Sequence, residues 1–225
     1  MTHDAPADLL PPFGHLVIFG VTGSGKSSLV RSLSRGRLRV LVVDPHDEYG
    51  SVAVQVHSPE ELREYLNRAA GKWRIAYFND HLEDDFPALC NLAYSLGNVL
   101  FVIDEADWWC SPHDIVPEYG HLIKYGRHPR VQVASISRMP AEVNRLVTSQ
   151  AAALFCFLMV EPVHLEYIGQ YAGKQFAAAL PALPLLHCRV KYLHDPRAEP
   201  MLLRVDPKKL AIERLPLLTG PNAGV

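Results

Sequence analysis

Between Gly20 and Ser28 the chain reads Gly-Val-Thr-Gly-Ser-Gly-Lys-Ser-Ser. Gly20, Gly25, Lys26 and Ser27 fall in the fixed places of the pattern G-x-x-x-x-G-K-[ST]. The chemistry this spacing serves is the holding of phosphate. Glycines let the backbone curl until successive N–H groups point inward at anionic oxygens. A helix starting behind them adds partial positive charge. In such a loop Lys26 reaches the β- and γ-phosphates of a nucleotide and the Ser27 hydroxyl sits on Mg²⁺. Gly20, Thr22, Gly23, Ser24, Gly25, Lys26, Ser27 and Ser28 are therefore the candidate nucleotide-binding residues. The plain alternative is a glycine-rich βα turn that binds nothing. The apolar run Leu16 to Phe19 before the loop and the helical pattern after it favour the phosphate reading.

A nucleotide site also needs a second metal ligand and a way to activate water. Val99-Leu-Phe-Val-Ile103 ends in Asp104-Glu105, the Walker B pattern. A buried strand of this kind delivers Asp104 to the carboxyl edge of a sheet, beside the phosphate loop, where it can share Mg²⁺ with Ser27. Glu105 then suits a general base or water-positioning role. Small-molecule kinases usually lack an acid at that next position, because they must keep water out. Asp107 either joins this carboxylate cluster or caps a turn.

The elements that must carry these residues alternate between strand-like and helical patterns. A strand is expected at about 15–20, a helix at 26–35 and a strand over 38–43, with a short extra strand over 52–56. Ser58-Pro-Glu-Glu61 has the form of a helix start, with Ser as N-cap and Pro at the first position. That helix runs to about Ala70 and is closed by Gly71. Further strands are expected over 73–78, 98–103, 131–136 and 151–159. Helices are expected over 84–96, 114–126, 140–148, 161–171 and 173–180. Runs 185–192 and 201–205 could form a closing hairpin. This alternation predicts an α/β fold with a mostly parallel central sheet and helices on both faces, which together with the two nucleotide motifs resembles a RecA-like (ASCE) P-loop NTPase. Residues 1–12 read as a flexible arm, 13–205 as one ATPase domain and 206–225 as a tail. Strand-like runs at 38–43 and 73–78 separate Lys26 from Asp104, a spacing that favours the ring-forming ATPases.

The bulk composition narrows the setting. The chain has 225 residues, 48% of them hydrophobic and 20% charged, which is ordinary for a soluble domain. A net charge of −2 announces no global basic field. Contact with nucleic acid must come from a local patch or from many subunits. The four cysteines show no C-x-x-C spacing and read as core thiols of a reducing compartment. The first 12 residues lack the basic and apolar regions of a signal peptide. The longest apolar run, Ala151 to Val160, is half the length of a membrane span. A cytoplasmic protein without its own transmembrane segment is expected. Eleven histidines show no trusted metal-ligand spacing. Trp108 and Trp109 either clamp a base or fill core gaps.

Three further stretches carry a resemblance. Asp44-Pro-His-Asp-Glu-Tyr49 resembles the D-P-x-x-E-Y box of HerA-type ATPases. Ala134-Ser-Ile-Ser-Arg-Met-Pro-Ala-Glu-Val143 resembles the sensor strand and following helix of the HerA/FtsK superfamily, where Thr/Ser-Gln-x-Pro is usual. Here Arg138 stands in the place of the sensor Gln, so either Ser137 or Arg138 takes that role. Tyr125-Gly-Arg-His-Pro-Arg130 resembles the Gly-Arg segment before that strand. The resemblance spans about residues 14–170. It implies an ATP- and Mg²⁺-dependent hexameric motor acting on double-stranded DNA, most like the genome-packaging ATPases of membrane-containing icosahedral viruses, with a capsid or membrane protein as an anchor. A ring motor also needs an arginine supplied across the subunit interface. Arg127 is the first candidate and Arg130 the second; a solvated basic loop is the alternative. Lys124, Arg127, Arg130 and Arg145 could line a basic channel when multiplied round a ring. Other readings stay open: a HerA-like mobile-element ATPase, a nucleotide-dependent switch or assembly protein and, last, a small P-loop kinase.

Overall fold

Short, mostly continuous apolar runs joined by helical segments fold into one ten-stranded sheet in the computed structural model, which describes residues 14–195 and 197–216. The strands are β1 (His15–Phe19), β2 (Arg39–Val43), β3 (Val54–Val56), β4 (Trp73–Tyr77), β5 (Val99–Ile103), β6 (Val131–Ser137), β7 (Ala151–Cys156), β8 (His187–Tyr192), β9 (Met201–Asp206) and β10 (Ala211–Leu215). The helices are α1 (Lys26–Arg35), α2 (Pro59–Arg68), α3 (Leu82–Leu96), α4 (Pro117–Tyr125), α5 (Arg145–Ser149), α6 (Pro162–Ala172) and α7 (Lys174–Ala178). Across the sheet the order is β10-β9-β8-β7-β1-β6-β5-β2-β4-β3. From β3 to β7 every pairing is parallel; β8, β9 and β10 add on antiparallel.

Local signals account for most boundaries. The Ser58 hydroxyl accepts the Glu61 N–H at 3.2 Å, so the expected cap of α2 forms. Pro117 does not interrupt α4; it opens it, at a position where its missing N–H has no helical partner anyway. The helix expected over 140–148 divides into a 3₁₀ turn at Pro140–Glu142 and α5, because Asn144 starts a new cap on the Leu146 N–H. All four cysteines are buried and unpaired.

Alternating strand residues sort into two apolar layers. Val17, Phe19, Leu41, Val43 and Ile103 face α2 to α7. Leu16, Ile18, Val40, Val42 and Val102 face Leu29, Val30 and Leu33 of α1, together with Cys188, Val190, Leu203 and Val205 from β8 and β9. Helices do lie on both faces, but unequally: among the described residues α1 is the one helix that serves the second layer, beside strands of the β8–β10 wing. The turn after β9 reaches the end of α1, where Arg35 donates to the Lys209 carbonyl at 2.8 Å.

One expectation is corrected. The stretch 206–225, read as a tail, contains β10, which pairs antiparallel with β9 over Ala211–Leu215. Its residues are half-exposed or exposed, so no buried apolar run marked it. Register is held by ladder bonds and by the Arg204–Glu213 pair at 2.6 Å. The arm read at residues 1–12 lies outside the described residues.

Candidate nucleotide-binding site

Parallel strands present their carboxyl ends at one edge, and that edge carries the candidate residues. The loop after β1 is pressed against the continuation of β7: Phe157 donates to the Phe19 carbonyl at 2.8 Å and Val21 to the Leu158 carbonyl at 3.0 Å. A Cβ on Gly20 would lie 2.6 Å from the Phe157 Cβ, so only glycine fits. Gly25, at φ 118°, starts α1 from a left-handed conformation. The Lys26 ammonium is buried and donates to the carbonyls of Gly20 at 2.8 Å and Val21 at 3.0 Å. Burial lowers its pKa, and the carboxylates of Asp104 and Glu105 oppose that shift.

Asp104 follows β5 directly. Burial raises its carboxyl to about 6, against the hydrogen bond from Tyr49. Glu105 adopts φ 48°, ψ 57°, a left-handed conformation rare for a residue with a side chain. Consecutive strand residues point to opposite faces. The kink breaks that alternation, and both carboxylates line one cleft of about 490 Å³. Thr22, Gly23, Gly25, Lys26, Ser27, Ser28 and Arg138 line it as well. Ser24 lies beneath, buried, and its hydroxyl has no partner.

Strand β6 inserts between β1 and β5, with Ser137 level with Phe19. The two residues raised for the sensor role separate here. Ser137 is fully buried and its hydroxyl accepts the Met139 N–H at 2.8 Å. Arg138 projects into the cleft and grips both Glu105 oxygens, at 3.0 Å from Nη2 and 3.3 Å from Nε. Its Nη1 also donates to the Thr22 hydroxyl at 3.3 Å.

The Asp44–Tyr49 box, noted from sequence without individual roles, forms the cleft's far wall. Asp44 accepts the N–H groups of Glu48 and Tyr49, at 3.0 and 2.9 Å. Tyr49 is fully buried and donates its hydroxyl to Asp104 Oδ2 at 2.9 Å. Glu48 accepts the Ser27 hydroxyl at 3.2 Å. His46 Nε2 lies 3.4 Å from Glu105 Oε1. Leu186 was not foreseen at all. It lines the cleft mouth in a left-handed conformation and donates its N–H to the Ser24 carbonyl at 2.9 Å. No local pattern marks it, because its place depends on β8 joining the sheet beside β7.

Other candidates lie elsewhere. Arg127 sits in the turn before β6, at the opposite edge of the sheet, roughly 20 Å away by the length of that strand. Within the chain it donates to the Gln150 carbonyl at 3.0 Å and to His194 at 2.9 Å. Arg130 occupies the same turn. Trp109 fills the core, stacked on Phe86 at 4.1 Å, whereas Trp108 is exposed and meets His46 edge-on. Asp107 is not among the residues lining the cleft. Among the described residues no group of three or more His, Cys, Asp or Glu side chains could hold a metal by itself. No helix there is long and apolar enough to cross a membrane.

A glycine-built phosphate loop, an acid-tipped neighbouring strand and a strand inserted between them define the P-loop NTPase fold. Known proteins share parts of this sequence and fold. Residues 13–89 match the family described as the central domain of the helicase HerA. Protein P9 of Pseudoalteromonas phage PM2 is 26% identical over 153 residues, which are 65% of this chain and 69% of that one. The genome packaging NTPase B204 of Sulfolobus turreted icosahedral virus 2, solved with AMPPCP, superposes with a TM-score of 0.69 at 19% identity, covering 85% of this chain and 98% of that one. The bacterial conjugative coupling protein TrwBΔN70 gives a TM-score of 0.62 at 10% identity, covering 89% of this chain and 86% of that one. The expected resemblance to HerA-type ATPases is matched over residues 13–89, and the chain shares its fold with the packaging NTPase B204.

Proposed function

We propose that this chain hydrolyses ATP with Mg²⁺ and, working as a hexameric ring, couples the hydrolysis to movement of double-stranded DNA, as a viral genome-packaging motor. The observation that carries the reading is the convergence of Lys26, Ser27, Asp104, Glu105 and Arg138 on one cleft at the carboxyl edge. B204 has been solved with AMPPCP and with ATP-gammaS, which supports a nucleotide as the occupant of the equivalent fold.

The amides of residues 20–28 and the Lys26 ammonium hold the phosphates. Ser27 and Asp104 would hold Mg²⁺, for which their hard oxygen donors fit, with nucleotide oxygens completing the shell. Held there, Mg²⁺ would supply positive charge against the negative charge that develops on the transferred phosphoryl group. Glu105 accepts the proton of the attacking water. Its carboxylate is gripped by Arg138, whose guanidinium also reaches the phosphate loop at Thr22. Arg138 thereby reads the γ-phosphate in place of the sensor Gln, and Ser137 holds the turn that aims it. Arg127 acts across a subunit interface on the neighbour's nucleotide; its position at the far edge of its own sheet supports a role in trans. A capsid or membrane protein anchors the ring, in the host cytoplasm or at a virion vertex.

The test is steady-state ATP turnover with and without linear duplex DNA, for the wild type and Glu105→Gln. Turnover stimulated by DNA, and abolished in a variant that still binds ATP, is expected. ATP binding without turnover under either condition would overturn the reading.

A further inference from the structure

The net charge of −2 conceals a strong separation of charge along the strand direction. At the carboxyl edge lie Asp44, Asp47, Glu48, Asp104 and Glu105. The amino edge is the reverse. Strands β6, β5, β2 and β4 are consecutive neighbours, all parallel, so the segments entering them lie side by side. Segments 35–39, 72–74 and 124–130, which lead into β2, β4 and β6, hold eight Lys and Arg and no Asp or Glu. The connection into β5, Gly97-Asn98, is neutral.

Two hollows open in this region. One, of about 560 Å³, is bordered by Arg31, Arg35, Lys72 and Arg74. A smaller one, of about 220 Å³, is bordered by Arg37, Arg39 and Arg130. No carboxylate lines either.

Helix C-termini attract cations, and that accounts for part of the pattern. Arg74 donates to the carbonyls of Ser34 and Arg35 at the end of α1, at 3.0 and 2.8 Å. Arg31 is taken by the Glu48 carbonyl at 2.6 Å. Arg35, the last residue of α1, follows the same preference, but Lys72 lies in no helix, and the two are exposed together at the larger hollow. Arg35 spends one donor on the Lys209 carbonyl and keeps the rest of its fork. Four adjacent strands span roughly 14 Å. That is the axial rise of about four base pairs of duplex. Concave hollows rimmed by guanidinium groups suit phosphate oxygens, which these groups can grip in pairs.

We infer that the amino edge of the sheet between β4 and β6, centred on Arg35 and Lys72, is a contact surface for the phosphodiester backbone of duplex DNA. The inference rests on the DNA-translocase reading above and adds to it the face that meets the cargo. That face lies at the opposite edge from the nucleotide cleft. Backbone contact of this kind is independent of sequence and steeply dependent on salt, as a packaging motor requires.

The experiment measures binding of a labelled short duplex across a series of NaCl concentrations. The proteins are the wild type, Lys72→Gln, Arg35→Gln/Lys72→Gln and, as a control on the exposed start of α7, Lys174→Gln. The slope of log K against log salt is expected to become shallower by about 0.9 per lost contact, hence about 1.8 in the double variant. It should not change in Lys174→Gln. Lys72→Gln alone keeps the test valid if the double variant folds poorly, since Lys72 is exposed beside the Gly71 turn. A wild type that binds duplex with a steep slope, matched by the double variant, would overturn the inference and leave the translocase reading standing. A wild type that binds no duplex at any salt would overturn both. Flotation with vesicles of acidic phospholipid provides the last arm. If the double variant loses vesicle binding while its DNA slope is unchanged, the edge faces a membrane and the inference fails.

Discussion

The Tyr49 hydroxyl donates to Asp104 Oδ2 at 2.9 Å, tying the segment after β2 to the acid at the end of β5. Tyr49 is fully buried, so the bond runs through a region of low dielectric, where it holds the carboxylate in place and favours its charged form. In the proposed mechanism Asp104 holds Mg²⁺. Tyr49→Phe removes the donor and leaves a buried oxygen unsatisfied. Stability should fall by about 1.5–3 kcal/mol, the worth of a hydrogen bond to a charged group. The Mg²⁺ concentration needed for half-maximal turnover should rise. Urea unfolding and a Mg²⁺ titration check the two effects separately, and unchanged values in both would show the bond to be idle.

Arg138 is half-exposed, so its pair with Glu105 contributes at most about 1 kcal/mol to stability. Its worth in the proposed mechanism lies in the transition state. Arg138→Ala should lower kcat by about 10²–10³-fold, as removal of one transition-state donor commonly does. The affinity for a non-hydrolysable ATP analogue and the unfolding midpoint should change little. A variant that turns over at the wild-type rate would assign Arg138 to the surface.

His15 opens β1 at the amino edge, almost wholly buried. Its Nδ1 accepts the Val133 N–H at 3.1 Å and its Nε2–H donates to the Ile123 carbonyl at 3.1 Å, an arrangement that requires the neutral ring. Burial, with the nearby Arg127 charge, lowers its pKa from 6.5 to about 4. The unfolded chain therefore binds the extra proton first as pH falls. Stability from this group is complete above about pH 6.5 and is lost progressively down to about pH 4. The loss amounts to about 3 kcal/mol. Urea midpoints at pH 7 and pH 4.5 should differ more for the wild type than for His15→Gln, which cannot take up that proton.

Strand β10 covers the open side of β9 and is itself the edge of the sheet. Deleting residues 207–225 would expose the ladder groups of β9 and remove the Lys209 carbonyl that Arg35 grips. An uncovered strand edge templates association. The shortened chain should melt at a lower temperature and scatter light in a concentration-dependent way. A monodisperse product with the full-length melting point would contradict this role for β10.

Contiguous residues determined much of the molecule. The P-loop, the acid-tipped β5, the Ser58 cap and nearly every strand are legible because local spacing suffices: a turn, a cap or an alternating run is complete within ten residues. The cleft is only partly so. Lys26, Ser27, Asp104 and Glu105 could be named from motifs, since a strand's end must lie at the carboxyl edge whatever its neighbours are. Which side chains surround them could not. The hold of Arg138 on Glu105 requires β6 to insert between β1 and β5. The bond from Tyr49 to Asp104 requires β2 to lie against β5. The contact of Leu186 with the phosphate loop requires β8 to reverse beside β7. Strand order depends on burying two apolar faces at once, and no stretch of sequence encodes that alone. The same holds for the basic amino edge, whose cations are scattered over a hundred residues and meet only because parallel strands share a starting edge. Strand β10 escaped notice for the converse reason: an exposed edge strand buries little and is held by ladder bonds, which leave no apolar pattern to read.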